Sequence, residues 1–402
     1  MSVAQEDDVL RVAVVGLTHP FRGGIAHYTT RLCQELALRH KVALFTLRRQ
    51  YPRLLFPGKS QWDQSATPFT FPHAACLDSL SPFSWWRCAE VVEAFRPHGV
   101  VIQWWHPFFA PAFGTLARCL ARRGRAVYFL CHNVRPHDGV PLSGWLTRWA
   151  LAPARGFLVH SQVDARRLRP QVGARPIVVH AHPPYDVFQK GALVPLGGEM
   201  QRSLRRRLGI PEGGPVVLFF GLVRRYKGLD VLLKAMVQVG GSPPPHLVVA
   251  GEFYQSREPY ARHLALLQEQ GRLTLLDRYV PNEQVPELYA ACDLLAVPYR
   301  EASQSGVLQI ARALGRPVVA SRVGGLGEAV RHGVDGWLVP PGDSQALARV
   351  IEGHFNGGGL VVEPQTDPAG EGSWAGLVTA LQGLMEAGRT AQGLGGGAGR
   401  HL

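Results

Sequence analysis

Short apolar runs alternating with helix-spaced segments constrain this chain more than any other feature. The clearest case is residues 292–343, CDLLAVPYREASQSGVLQIARALGRPVVASRVGGLGEAVRHGVDGWLVPPGD. Leu294 to Val297 is apolar throughout, the length and texture of a strand buried on both faces. Val307, Ile310, Ala311 and Leu314 then follow at i, i+3, i+4 and i+7, one apolar helix face, and Gly315 stands where a helix would stop. Pro317 to Ala320 reads as a second buried strand, and a glycine turn, Gly324-Gly325-Leu326-Gly327, opens onto Glu328. Each helix N-terminus offers unpaired N–H groups and a positive dipole end, so the stretch carries two candidate anion sites. Glu301, Gln304 and Ser305 stand in front of the first.

The same alternation runs through both halves. Strands are expected at 10–15, 42–47, 99–103, 126–131, 157–160 and 177–180, then again at 215–220, 247–250 and 273–276. Ile25, Tyr28, Thr29, Leu32 and Leu36 suit one helix face, as do Leu229, Leu232, Leu233 and Met236. Further helices are expected up to 120–123 and at 200–208, 283–291, 345–351 and 374–385. The fold class is therefore α/β, with two Rossmann-like, doubly wound parallel sheets. Right-handed crossovers carry all strand-to-helix loops of such a sheet to one edge, where ligands bind. Two domains facing across a cleft would bring His132, Gly23-Gly24, Arg224, Lys227 and Glu301 together.

The expected division is an N-terminal domain at 1–188, a C-terminal domain at 189–372, a helix at 373–388 that could cross back to the first domain, and a disordered glycine-rich tail at 389–402. The Gly/Pro-containing stretch at 189–198 reads as a linker. Residues 50–83, rich in Pro, Phe and Ser, read as a long irregular loop of the kind that shapes an acceptor pocket. The aromatic cluster Trp104, Trp105, Phe108, Phe109 and Phe113, near Arg118, Arg122 and Arg123, could lie against a membrane interface, but such a cluster is more often core or pocket wall.

Forty-three basic against 30 acidic residues give a net charge of +13, which favours anionic partners such as nucleotides or phospholipid surfaces. Almost all of it is arginine scattered through helices, so general Arg-rich usage is the plainer account. No alternation of basic and aromatic residues marks a nucleic-acid groove. The six cysteines form no CxxC pair and mostly sit in apolar runs, so buried free thiols in a reducing compartment are expected. The stretch MSVAQEDDVLRV lacks the apolar core of a signal peptide, and no apolar run is long enough to cross a membrane. The location expected is cytoplasmic, with peripheral association at the inner face of the membrane left open.

Several positions point to chemistry. Arg224 and Lys227 lie between a strand end and a helix start, where two cations and backbone N–H groups can hold a diphosphate. Lys227 is one of five lysines in the chain, which argues against compositional accident. A single histidine is by default a satisfied core residue, but His132 ends a strand, where α/β sheets place ligand contacts, and its position and loop chemistry favour a functional role. His137 is a weaker candidate in the same loop. Gly23-Gly24 lets a ligand or another loop approach the backbone, although it is not a GxGxxG fingerprint and a plain turn is the alternative. Glu301 can hydrogen-bond sugar hydroxyls or stabilise positive charge at a sugar carbon. Ser305, Gly306 and Val307 would offer N–H groups to phosphate oxygens. Gln309, eight residues after Glu301, can donate and accept hydrogen bonds but cannot act as a base.

Taken together, HPFRGGIAHYT, CHNVRPHD, FGLVRRYKGLDVLL, YVPNEQVPELYAACDLLAVPY, EASQSGVLQIARALGRPVVASRVGGLGEAV and DGWLVPPGD resemble the retaining glycosyltransferases of family 4, which have the two-domain GT-B fold. The resemblance covers most of the chain and is tightest over 215–345. It implies transfer of a sugar from a nucleotide-diphosphate donor, a UDP- or GDP-sugar, to a glycan or lipid-linked acceptor, with retention of anomeric configuration and no metal or other cofactor. Arg224 and Lys227 would neutralise the leaving diphosphate, and His132 would contact the donor sugar. Glu301 matches the first glutamate of the family's Glu-x7-Glu motif, Tyr279 and Val280 would border the base, and Gly24 would approach the donor phosphates or the acceptor. The chain departs from the family in two places. Gln309 replaces the second glutamate, which grips the ribose. Leu222 stands where many members carry arginine, with Arg224 two positions on. A nucleotide-sugar-binding protein with weak or no catalysis and a GT-B-fold epimerase are the alternatives.

Overall fold

The computed structural model describes residues 9–52, 59–134, 143–189, 198–357, 359–365 and 372–396. The chain divides into two compact units, one of Met1–Phe56, Phe69–Pro183 and Pro368–Leu402, the other of Pro57–Pro68 and Pro184–Asp367.

The first unit holds strands β1 (Arg11–Val15), β2 (Lys41–Arg49), β3 (His73–Asp78), β4 (Gly99–Trp104), β5 (Ala126–Cys131), β6 (Gly156–Val159) and β7 (Ile177–Val179). Among the described residues they form a parallel sheet in the order β3-β2-β1-β4-β5-β6-β7. The helices between them are α1 (Gly24–Leu36), α2 (Pro82–Ala94), α3 (Ala110–Arg122), α4 (Ser143–Leu151) and α5 (Gln162–Val172). β4 and β5 are buried at every position. That is why, Gln103 apart, their sequences run largely apolar without alternation: a parallel strand is covered on both faces.

The second unit opens with α6 (Gly198–Leu208) and then alternates β8 (Val216–Phe220), α7 (Leu229–Gln238), β9 (His246–Ala250), α8 (Ala261–Glu269), β10 (Leu273–Leu276), α9 (Val285–Ala291), β11 (Leu294–Val297), α10 (Gly306–Ala313), β12 (Val318–Ser321), α11 (Leu326–Ala329), β13 (Gly336–Val339) and α12 (Ser344–Asn356). Its strands are parallel in the order β10-β9-β8-β11-β12-β13. In both sheets the order reverses beside the first strand of the unit, the topological switch point at which open α/β sheets bind ligands. Two separate apolar cores follow, one per unit.

The last helix, α13 (Trp374–Gly396), belongs to the first unit. Gly99 and Gly156 leave room for Met385 and Leu384, and the Tyr128 hydroxyl donates to the Met385 carbonyl at 3.3 Å. Helix continues to Gly396, past the point where the glycine-rich composition suggested a disordered tail.

Two other expectations are corrected and one is decided. Residues 50–83 are not one irregular loop: β3 and the start of α2 lie within them. Trp104, Trp105, Phe109 and Phe113 are buried in the first core with Phe108 packed against it, so the commoner reading of this cluster, as core, holds. Cys76 and Cys88 form a disulfide with Cα atoms 5.1 Å apart, while Cys33, Cys119, Cys131 and Cys292 are free. The pairing is hidden in sequence because it depends on β3 and α2 packing together. His137 lies outside the described residues.

Candidate functional site

In the second unit the site is built on the turn after β8. Gly221 and Gly228 both take positive φ, 92° and 67°. A Cβ on Gly228 would collide with the Pro298 carbonyl oxygen, and one on Gly221 would meet Lys227 Nζ at 3.0 Å and Val307 Cγ2 at 3.4 Å. These glycines therefore let the β8 turn nest against the loop after β11. Arg225–Lys227 forms one tight turn capped by Gly228. The Arg300 N–H donates to the Tyr226 carbonyl at 2.7 Å, and the Arg300 guanidinium pairs with Asp230 at 2.5 Å.

Lys227 is held inside this nest and is only 8% exposed. Its Nζ lies 5.6 Å from the centre of the Tyr299 ring. No carboxylate pairs with it among the described residues. Burial, with Arg224 nearby as a second positive charge, lowers its pKa to about 7. Arg224 lies over the Tyr254 ring at 4.4 Å. A buried, unpaired ammonium is costly, and an anion arriving there would relieve that cost.

Ser305 caps α10: its hydroxyl accepts from the Leu308 N–H at 3.3 Å and donates to the Tyr299 hydroxyl at 3.4 Å. Gly306 and Val307 are the first helical residues, so their N–H groups have no intrahelical partner. Tyr299 thus links the Lys227 pocket to the start of α10. Glu301 is exposed in the loop between Arg300 and Ser305.

Gln309 is fully buried, and neither its amide oxygen nor its amide nitrogen has a hydrogen-bond partner among the described residues. Its carbonyl accepts from the Tyr185 N–H at 3.3 Å, and the Tyr185 ring covers Gly306. Gly324 and Gly325 pack against the backbone of Ala302 and Ser303, and the Gly325 N–H donates to the Ser303 carbonyl at 3.1 Å. The second glycine turn therefore shapes the 302–304 loop. α11 behind it has only four residues, too short for the second anion site read from the sequence.

Tyr279 and Val280 follow β10. Val280 is buried, and the Tyr279 hydroxyl donates to Asp63 at 2.7 Å. Asn282 donates to Ser65 through its backbone N–H at 2.8 Å and to Asp63 through its side chain at 3.2 Å. Part of the stretch read as an acceptor loop is therefore tied to the 279–282 loop.

In the first unit, His132 follows β5. Its backbone N–H donates to the Trp104 carbonyl at 2.8 Å, and its Nε2 lies 2.5 Å from Gln103 Oε1. The Tyr28 ring meets His132, His160 and His182 edge-on with centroids 4.6, 5.3 and 5.1 Å away. The three imidazoles thus end β5, β6 and the segment after β7. Burial, with His182 adding to it, lowers the His132 pKa to about 3, and burial holds His160 well below its usual range. Among the described residues no group of three or more His, Cys, Asp or Glu side chains could hold a metal ion. Gly23, the N-cap of α1 with φ 107°, faces open space, and Gly24 opens the helix one turn before Tyr28.

In the second unit the structure thus sets Lys227 Nζ and Val307 beside Gly221, with Arg224 near Lys227 and Ser305 joined to Tyr299, and it leaves Gly23, Gly24 and His132 in the first. Tyr299, Tyr254 and Gln103 escaped the sequence reading, and Tyr28 entered it only as a helix-face residue. Gln103 and Tyr28 sit in a buried strand and a helix, while Tyr254 and Tyr299 lie in the loops after β9 and β11. Only Tyr299, at the end of an apolar run and two residues before Glu301, carried a positional signal.

Family comparison matches the chain in two pieces. The model described as Glycosyltransferase Family 4 covers residues 22–186, and that described as Glycosyl transferases group 1 covers 214–356. Among characterised proteins, a D-inositol 3-phosphate glycosyltransferase of Salinispora arenicola is 34% identical over 214 residues, 51% of this chain and 43% of that protein. A 2-deoxystreptamine glucosyltransferase of Streptomyces kanamyceticus is 30% identical over 219 residues, 53% of this chain and 54% of that protein. The chain spans about half the length of the curated relatives it matches. Among solved structures, HepE of Anabaena in complex with UDP and glucose aligns with a TM-score of 0.65 at 17% identity, over 96% of this chain and 100% of that one. The catalytic domain of starch synthase IV from Arabidopsis thaliana, bound to ADP and acarbose, aligns with a TM-score of 0.65 at 14% identity, over 95% and 99%. These likenesses establish the two-sheet GT-B fold.

Proposed function

The chain belongs to glycosyltransferase family 4, and we propose that it transfers a sugar from a nucleoside-diphosphate sugar to a hydroxyl of a glycan or lipid-linked acceptor, with retention at the anomeric carbon. The observation that carries this reading is Lys227, a buried cation without a carboxylate partner among the described residues, placed between a glycine turn and the first N–H groups of α10. The bond from the anomeric carbon to the diphosphate breaks, the bond to the acceptor oxygen forms on the same face, and the acceptor proton leaves with the diphosphate. Arg224 and Lys227, rather than a metal ion, neutralise the charge that develops on that diphosphate. Gly306 and Val307 add N–H donors. Glu301 is assigned to the donor sugar, Tyr279 and Val280 to the base, and Gln309 to the ribose. His132 is assigned to sugar hydroxyls, and Gly23 and Gly24 to the phosphates or the acceptor. The neighbours described with UDP and ADP support a nucleoside diphosphate as the leaving group, and a UDP- or GDP-sugar is the donor proposed. Incubation with a panel of nucleotide sugars and varied acceptors, with detection of released nucleoside diphosphate, tests the reading. No turnover with any donor would sink it. Tight diphosphate binding without turnover would favour the binding-protein alternative, to which the partnerless Gln309 amide lends some support.

No helix among the described residues is long and apolar enough to cross a membrane. The aromatic surface of the first unit lies on α2 and α4 instead: Phe83 is 69% exposed, Trp86 56% and Trp145 63%, beside exposed Arg87 and Arg148. Aromatic side chains interleaved with arginine fit an anionic lipid surface, and we propose cytoplasmic, peripheral binding through this face. Co-sedimentation with anionic vesicles that survives Trp86→Ser with Phe83→Ser would refute it.

A further inference from the structure

Gln103 is the last-but-one residue of β4, in the middle of the first sheet, and is fully buried. Its side chain is clamped from behind: a Cβ on Gly16, just past β1, would meet Gln103 Cγ at 2.6 Å. Register places Gln103 beside Leu130 and Trp104 beside Cys131, so Gln103 lies directly under the turn that carries His132. There Gln103 Oε1 faces His132 Nε2 at 2.5 Å.

An amide oxygen only accepts hydrogen bonds, so the imidazole nitrogen facing it must carry the proton. Nδ1 then keeps its lone pair, and it has no hydrogen-bond partner among the described residues. The other groups facing the ring favour the neutral form. Tyr28 meets it edge-on, His160 lies 5.7 Å away between ring centres, and His182 adds positive charge when protonated. Asp164, an acidic side chain at the start of α5, acts on Cys131 and accepts from the Ser161 hydroxyl at 2.8 Å.

We propose that Gln103 is a positioning residue that locks His132 in its Nε2–H form, so that Nδ1 presents an acceptor to an O–H group of the ligand. This rests on the reading of His132 as a sugar contact and sharpens it. A neutral Nδ1 acceptor selects a hydroxyl, not a phosphate or carboxylate oxygen, and it cannot serve as a general acid. His132 is then a recognition group whose proton stays in place throughout turnover.

The test uses the full chain labelled with 15N-histidine, with His132 assigned by loss of its signals in His132→Asn. Two-bond correlations from the ring carbon protons identify which nitrogen bears the proton. The expected result is an Nε2–H imidazole for His132 that does not titrate between pH 5.5 and 8. Gln103→Leu should release the lock and shift the signals toward a tautomer mixture. Gln103→Glu should keep the proton on Nε2 but draw a second one onto Nδ1, so that His132 titrates in that range. An Nδ1–H signal in the parent protein would overturn the proposal, as would unchanged signals in Gln103→Leu that melts like the parent. Where a donor supports turnover, Gln103→Glu should add an acidic limb to the kcat/KM profile, with activity falling about tenfold per pH unit below the new pKa. A profile unchanged in shape would also overturn the proposal. The spectra need no turnover, so a failed transferase assay and a failed tautomer assignment are separate results.

Discussion

Lys227 Nζ lies 5.6 Å from the centre of the Tyr299 ring, inside a pocket where no described carboxylate reaches it. The aromatic face gives the ammonium partial compensation, worth about 0.5–2 kcal/mol in comparable settings. Burial still lowers its pKa to about 7.

A pH dependence follows. The protonated form binds a diphosphate, and the bound anion raises the lysine pKa again. Above pH 7 the free protein must take up a proton to bind, so affinity should fall with rising pH, approaching tenfold per unit. Calorimetry with UDP and GDP from pH 7 to 9.5 checks this, above the range in which phosphate itself titrates. Lys227→Arg should bind with a flatter profile, because arginine stays charged. Lys227→Ala should lose about 2–4 kcal/mol of transition-state stabilisation in kcat/KM. A change under about threefold would remove Lys227 from the diphosphate site.

The histidines at the ends of β5 and β6 should make the first unit acid-labile. Folded His132 has its pKa lowered to about 3, and His160 is also held well below its usual range. The unfolded chain binds these protons near pH 6.5 and the folded chain does not. Stability from the neutral rings is therefore intact above that pH and falls as pH drops below it. Each such group contributes a slope of about 1.4 kcal/mol per pH unit. Urea unfolding between pH 7.5 and 4.5 should show a lower midpoint in acid, and His160→Gln should reduce the slope by about one proton. A flat midpoint would mean that these rings are not buried neutral.

Strand-and-helix alternation was legible because every parallel strand is short and apolar, and the glycines after β8 marked a turn that needs positive φ. Lys227 stood out as a rare lysine at a strand end. β3 and α2 were not legible: HAACLD mixes small and polar residues at the sheet edge, and PFSWWRCAEVVEA exposes Phe83 and Trp86 while turning Trp85 to the core. The Cys76–Cys88 pair vanished with them. The environment of His132 could not be read either. Gln103 and Tyr28 lie 29 and 104 positions away in sequence, and only the β1-β4-β5 register brings them together. The aromatic cluster after β4 reads with core as the commoner outcome, and its burial agrees, although composition alone does not tell a buried aromatic run from an exposed one.

Gly228 should tolerate no side chain. Its φ of 67° strains any other residue, and a Cβ would collide with the Pro298 carbonyl oxygen. Gly228→Ala should therefore destabilise the second unit by about 2 kcal/mol or more and weaken diphosphate binding with it, since the same turn seats Lys227. Gly213→Ala, with open space at the Cβ position, is the control and should do neither. Equal unfolding midpoints for the two variants would contradict the nested-turn packing.

Gln309 separates fold from ligand most sharply. A buried amide with no hydrogen-bond partner costs stability, and replacing it by an apolar group of similar size is neutral or favourable. Gln309→Leu should therefore melt at or above the parent temperature. If the amide holds a ribose hydroxyl, the same variant should bind UDP or GDP about tenfold more weakly, the loss of roughly one hydrogen bond, and bind inorganic pyrophosphate unchanged, because the Lys227 pocket is intact. Gln309→Glu restores the residue type of the family motif but buries a carboxylate, so it should be less stable unless nucleotide is present. Unchanged nucleotide affinity in Gln309→Leu would show that the amide is packing only, and that the chain's departure from the Glu-x7-Glu motif removes the ribose contact altogether.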